Sequence, residues 1–174
     1  LLKALSQLDG VRKVFVGSGI RYDLILGDRK MGRKYLEEIL RHHVSGQLKI
    51  APEHVSGAVL NLMGKPGGQG LEKFVGLFDG LKRKIGGKFF LTYYLMAAHP
   101  GCTMGHMQAL RKFATKTLHL LPEQVQIFTP TPATYSTLMY YTKRDSFTGQ
   151  KIFVEKNLKG KEAQKRIITG QRHP

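Results

Sequence analysis

Two hydrophobic rhythms alternate along this chain. Leu71, Phe74, Val75, Phe78, Leu81 and Ile85 recur at spacings of three and four, which predicts an amphipathic helix over 71–85. Tyr35, Leu36, Ile39, Leu40 and Val44 predict a second helix over 30–44. The same rhythm predicts helices over 1–9, 55–63, 104–120, 133–141 and 158–168, with one helical turn at 22–26. Between them lie short apolar or β-branched runs: 11–17 (VRKVFVG), 48–51 (LKIA), 89–97 (FFLTYYLMA) and 125–128 (VQIF). These predict four strands. The run 89–97 is apolar on both faces, as a central parallel strand is. Local punctuation agrees. Asp9-Gly10 and Gly86-Gly87 stop helices, and Thr103 is placed to cap the helix that follows it.

Strand, loop, helix, four times over, calls for parallel strands joined by right-handed crossovers. The fold class is therefore α/β, either a small open sheet or part of a barrel. In both, ligands bind at the loops that follow the strands' C-terminal ends. All four such loops carry polar or unusual residues: SGIR at 18–21, PEH at 52–54, HPGC at 99–102 and TPTP at 129–132. After Thr142 the pattern changes to a polar, turn-rich segment and a basic helix. Residues 1–141 thus read as the repeating domain and 142–174 as a basic extension. A first strand at 11–17 with one unpaired edge predicts poor solubility or self-association as a homodimer.

The totals narrow the partners. Lys and Arg number 28 against 12 Asp and Glu, a net charge of +16. Such an excess attracts polyanions such as RNA, or substrates carrying phosphate or carboxylate. Lys156, Lys159, Lys161, Lys165, Arg166 and Arg172 concentrate it in the extension, so a basic nucleic-acid-binding module is one reading. Cys102 is the only cysteine, which excludes an internal disulfide. The longest apolar run, 89–98, is far short of the ~20 residues that span a bilayer. The opening residues LLKALSQLDG resemble a helix end and not a signal peptide, so a cytoplasmic location without membrane contact is expected. A start at Leu1 suggests a longer gene.

Several local patterns invite chemistry. Gly17-Ser18-Gly19 follows a strand, but the third glycine of a dinucleotide fingerprint is replaced by Tyr22. Ser18 and Arg21 remain candidate donors to a ligand, beside the plain reading of a tight turn. The glycines around Lys65 lack the Ser or Thr of a phosphate loop and follow a helix, so a mobile loop is expected there. Lys49, Glu53 and His54 can bind hydroxyls or move a proton, or can be an ordinary helix start with a surface histidine. His99, Cys102 and His106 could make a small zinc enzyme, although Pro100-Gly101 interrupts their helical alignment. His99 pointing into a ligand cavity is the alternative. The pair His42-His43 reads as surface.

The strings VRKVFVGSGIRYDL, HHVSGQLKIAPEHVSGAVLNLMGKPG, AAHPGCT and VQIFTPTPAT occur here in one order and spacing. Together they resemble the YgiQ-like (UPF0313) group of radical S-adenosylmethionine proteins, over most of 1–141. The resemblance implies a partial triose-phosphate-isomerase-type (β/α) barrel. The four strands would be the last four of a six-strand radical barrel. Its first unit would carry CxxxCxxC, which holds a four-iron four-sulfur cluster, and the complete enzyme cleaves S-adenosylmethionine to a 5′-deoxyadenosyl radical. No such motif lies in these 174 residues. The chain is therefore expected to be a fragment, inactive alone and with no cluster of its own. Carried over by position, the residues implied to bind S-adenosylmethionine are Ser18, Arg21, Lys49, Glu53, His54 and His99, with Phe128 and Thr129 near the adenine.

Overall fold

A computed structural model of the chain describes residues 1–67, 70–122 and 125–170. The chain forms two compact units, one of Leu1–Ala51 with Gly70–Tyr93, the other of Pro52–Gln69 with Tyr94–Pro174. Three strands make one parallel sheet in the order β1-β2-β3: β1 (Gln47–Glu53), β2 (Phe90–Ala97) and β3 (Gln126–Ile127). Met96 lies opposite Gln126 and Ala97 opposite Ile127. The apolar run at 89–97 is central in the sheet, as expected. One of its faces is open, with Phe90 and Tyr94 exposed.

The predicted strand at 11–17 does not form. Val16 donates its N–H to His43 O at 2.8 Å and Ile20 donates to Lys49 O at 2.9 Å, and only Ile20 and Ile50 make a bridge. Two backbone bonds four residues apart leave no continuous ladder. The half-buried Val14 and Val16 alternate with exposed neighbours, which is the strand-like pattern without the partner that makes a strand. The sheet thus has three strands and not four.

In the first unit, α1 (Leu2–Leu5) is a single turn where a nine-residue helix was expected. Helices α2 (Tyr22–Gly27), α3 (Gly32–His42) and α5 (Gly70–Ile85) pack together on the predicted apolar faces. Leu36, Ile39, Leu40, Leu71, Phe74, Phe78 and Leu81 are all buried, and the Tyr22 and Phe74 rings meet at 5.7 Å. His43 corrects the surface reading. It is buried because α3 ends there, and its Nδ1 sits 2.9 Å from Val14 O. His42 stays exposed.

In the second unit, α4 (Gly57–Leu62) follows β1, and α6 (Met104–Lys116) follows β2. Thr103 caps α6 as expected: its hydroxyl accepts from His106 N, and His106 Nδ1 accepts from Thr103 N in return. After β3 come α7 (Tyr135–Thr142) and α8 (Leu158–Thr169). Helix α8 packs on α6 and reaches β3, burying Gln164 and Ile168. Among the described residues no helix is long and apolar enough to cross a membrane.

Candidate functional site

The C-terminal ends of all three strands meet one cavity of about 330 Å³ in the second unit. Glu53 closes β1, Met96 and His99 come from β2 and the loop after it, and Gln126, Phe128 and Thr129 come from β3 and its loop. Lys65 and Met63 reach in from beyond α4, and Thr131, Thr134 and Ser136 from the start of α7. Strand geometry explains the selection. Side chains at i and i+2 share a face, so Gln126 and Phe128 both point inward with Met96 beside them.

The backbone around this cavity is strained. Glu53, Ala98 and Ala133 are non-glycine residues with φ of 63, 59 and 59 degrees. Each adopts the left-handed conformation at a cost of about 1–2 kcal/mol. Such strain persists where surrounding contacts over-determine the turn, and it gathers at functional sites.

His99 is fixed at both nitrogens. Pro100 O can only accept, so Nδ1 carries the proton and donates to it at 2.8 Å. Nε2 is then the acceptor for the Ser136 hydroxyl at 2.8 Å. The ring also packs edge-on to Phe128 at 5.2 Å. Burial pushes the His99 pKa down to about 4, so the ring is neutral near pH 7. Glu53 faces Lys65 at 3.3 Å, which supplies the cavity with one carboxylate and one ammonium on opposite sides of an ion pair. The chemistry on offer is recognition of hydroxyls and of a flat ring against Phe128.

His54, next to Glu53, does a different task. It is buried and its Nδ1 accepts two backbone N–H groups, from Val55 and Ser56, both at 2.9 Å. Nε2 therefore carries the proton and points at Cys102 Sγ, 3.7 Å away. Burial, followed by the neighbouring His106 and His99, lowers its pKa to about 4. Burial likewise pushes the Cys102 thiol up to about 12. Among the described residues no group of three His, Cys, Asp or Glu could hold a metal ion. This overturns the zinc reading of His99, Cys102 and His106. His99 is committed to Pro100 and Ser136, His106 to the α6 cap, and the thiol faces His54.

Gln164 was missed by sequence reasoning. Its Oε1 accepts from Ala98 N at 2.9 Å and its Nε2 donates to Cys102 O at 3.0 Å. It thus clamps both ends of the loop that carries His99. A mid-helix glutamine in a basic segment gives no hint of this in the sequence. Ser136 was also missed, being an ordinary helix-start residue until the chain folds, and Lys65 was singled out only as the lysine of a phosphate-like loop and not as the partner of Glu53.

The remaining candidates belong to the first unit. Arg21 is tied to Asp23 by two bonds of 2.8 and 2.6 Å, which raises the guanidinium pKa and lowers that of the carboxyl. Ser18 is exposed, and Lys49 is half-buried in β1. The Gly64–Gly70 loop lies partly outside the described residues.

The arrangement is that of an α/β protein with a cavity at its strand ends. Relatives place it further. The chain is 54% identical over 172 residues to a UPF0313 protein of Fusobacterium nucleatum, a match covering 99% of this chain and 30% of that relative. It is 47% identical over 168 residues to a UPF0313 protein of Methanosarcina mazei, covering 97% of this chain and 26% of the relative. A UPF0313 protein of Clostridium perfringens is 40% identical over 168 residues, covering 97% and 25%. This chain belongs to the UPF0313 family. It spans about a quarter to a third of the length of these curated relatives. No family model and no solved structure matches it.

Proposed function

We propose that this chain is the nucleoside-binding part of a radical S-adenosylmethionine barrel. The observation that supports it is the convergence of all three strand ends on one cavity that offers a carboxylate, a neutral imidazole and an aromatic ring. Glu53 is suited to accept from ribose hydroxyls, and Phe128 with Thr129 to hold the adenine by ring contact and a hydroxyl. His99, neutral and anchored by Ser136, shapes the floor. His54 contributes by fixing the turn after Glu53 and not by touching the ligand. Ser18, Arg21 and Lys49 are assigned to the same cofactor by family resemblance alone.

The residues present do not fit an iron-sulfur cluster. The only cysteine is fully buried against a histidine, and a four-iron cluster requires three thiolates that share one face. The cluster therefore belongs to other residues of the whole protein, and this chain contributes binding and not reduction. What S-adenosylmethionine supplies in such enzymes is the abstraction of a hydrogen atom from a substrate.

Titration calorimetry with 5′-deoxyadenosine and with S-adenosylmethionine tests the reading on this chain directly. Both are expected to bind, and E53Q is expected to weaken binding about tenfold, the value of one charge-assisted hydrogen bond. Wild-type protein that binds neither ligand at millimolar concentration would remove the proposal.

A further inference from the structure

Helix α7 has two working faces. Thr134 and Ser136 line the cavity. The other face carries Tyr135, Leu138 and Tyr141, at 65%, 51% and 67% exposure. Phe147, 63% exposed, lies against Tyr135 with ring centroids 5.0 Å apart. Four large apolar side chains on one outward face, three of them aromatic, are costly to leave in water and mark an interaction surface.

The charge around this face says what kind of partner it takes. Residues 135–170 contain eight Lys and Arg against three Asp and Glu. Lys156 Nζ stands 5.6 Å from the Tyr141 ring centre and 5.2 Å from that of Tyr140. Lys161 Nζ stands 4.7 Å from the Tyr140 centre and donates to its hydroxyl at 3.1 Å. Among the described residues, none of Lys143, Lys151, Lys156, Lys159, Lys161 and Lys165 forms an ion pair. Two of the three acidic residues are held by local hydrogen bonds: Asp145 accepts from Phe147 N and Thr148 Oγ1, and Glu155 from Asn157 N. Unpaired cations interleaved with exposed rings are the two components by which proteins hold single-stranded nucleic acid: phosphates on the cations, bases on the rings.

We propose that the outer face of α7 with the 143–165 cations binds a single-stranded nucleic acid, its bases stacking on the Tyr135–Phe147 pair and on Tyr141. The site stands on its own geometry and needs no cofactor. If the nucleoside reading of the neighbouring cavity also holds, the strand is the substrate class, because Thr134 and Tyr135 are adjacent in the chain and belong one to each site. A duplex fits poorly, since its bases are already stacked on one another. An acidic protein would use the cations but not need the rings.

Fluorescence anisotropy with a labelled 12-nucleotide single-stranded RNA, this chain as purified, and a series of salt concentrations tests it. Binding is expected to weaken steeply with salt, to be at least tenfold tighter for the single strand than for a duplex of the same sequence, and to resist competition by poly-glutamate. Y135A and F147A are expected to lose about tenfold each while keeping the wild-type salt slope. K156A and K161A should instead flatten that slope. Tyr135, Phe147 and Lys156 are exposed and Lys161 is half-buried against Tyr140, and unchanged thermal unfolding shows that the variants remain folded. Equal affinity for duplex and single strand, no loss in Y135A and F147A, displacement by poly-glutamate, or no RNA binding at low salt each overturns the proposal. Adenosine calorimetry on Y135A separates the two readings: it should be unchanged whether or not RNA binds.

Discussion

Acidification from pH 6.5 to pH 4 is expected to remove most of the stability of the unit that holds His54 and His99. Each ring is buried and has its pKa lowered from about 6.5 to about 4. The unfolded chain therefore binds protons that the folded chain refuses, and only between those two values. Stability is complete above pH 6.5 and falls as the pH drops towards 4. With two such groups the slope at pH 5 approaches two protons, or about 2.7 kcal/mol per pH unit, and the whole loss is on the order of 5 kcal/mol. The geometry gives the reason. A proton on His54 Nδ1 would face two N–H donors, and a proton on His99 Nε2 would face a hydroxyl that now donates to it. Urea titrations at half-unit pH steps measure the slope. H99Q, which cannot titrate, should lower it by about one proton. A flat stability between pH 6.5 and 5 would refute the assignment of both rings. The carboxyls of Asp23 and Glu37, held low by hydrogen bonds to Arg21 and Arg41, lose their contribution only as the pH falls below their ordinary values of 3.8 and 4.5, at the acid end of this window and beyond it.

Q164L is expected to be nearly as damaging. The leucine fills similar volume but leaves Ala98 N–H and Cys102 C=O buried with no side-chain partner. A buried backbone group left unsatisfied costs about 1–3 kcal/mol, so two cost about 3 kcal/mol together. Q164E is the informative companion: it keeps an acceptor for Ala98 N–H but sets a buried carboxylate oxygen against Cys102 C=O, so at pH 7 it should be at least as destabilising as Q164L. Because the clamped loop carries His99, nucleoside affinity should fall with stability in Q164L. The ratio of the two losses, from urea unfolding and calorimetry on the same variants, distinguishes a loosened loop from global unfolding. An unchanged midpoint in Q164L would show that the clamp contributes nothing.

The helices were legible wherever one face alone was apolar. Leu71, Phe74, Phe78 and Leu81 are buried as their spacing requires, and β1 and β2 fall where the apolar runs lie. The capping residue Thr103 was legible because a cap is local. The strand at 11–17 failed for the opposite reason: alternation is local, but a ladder needs a partner, and His43 O and Lys49 O supply only two bonds. Helix ends were misplaced by up to four residues, as at Lys116, where nothing in the sequence forces the stop. Of the candidate site residues, Glu53, His99, Phe128 and Thr129 share the cavity because strand ends place them there. What the sequence could not show were contacts across long separations. Gln164 meets Ala98 over 66 residues, and Glu53 meets Lys65 over 12. His54 and His99 stand in similar loops, yet only one lines the cavity; the difference is which way a single turn faces.

The buried Cys102 has a practical consequence. Its thiol is fully enclosed and its pKa is pushed up to about 12, so the reactive thiolate is scarce and out of reach in the folded protein. A thiol reagent can then modify the chain only when the second unit opens. The rate of labelling becomes a clock for that opening, readable without any engineered probe. Slow labelling that quickens as the pH falls below 6.5 would time the opening of the second unit at the very step where the two histidines take up their protons.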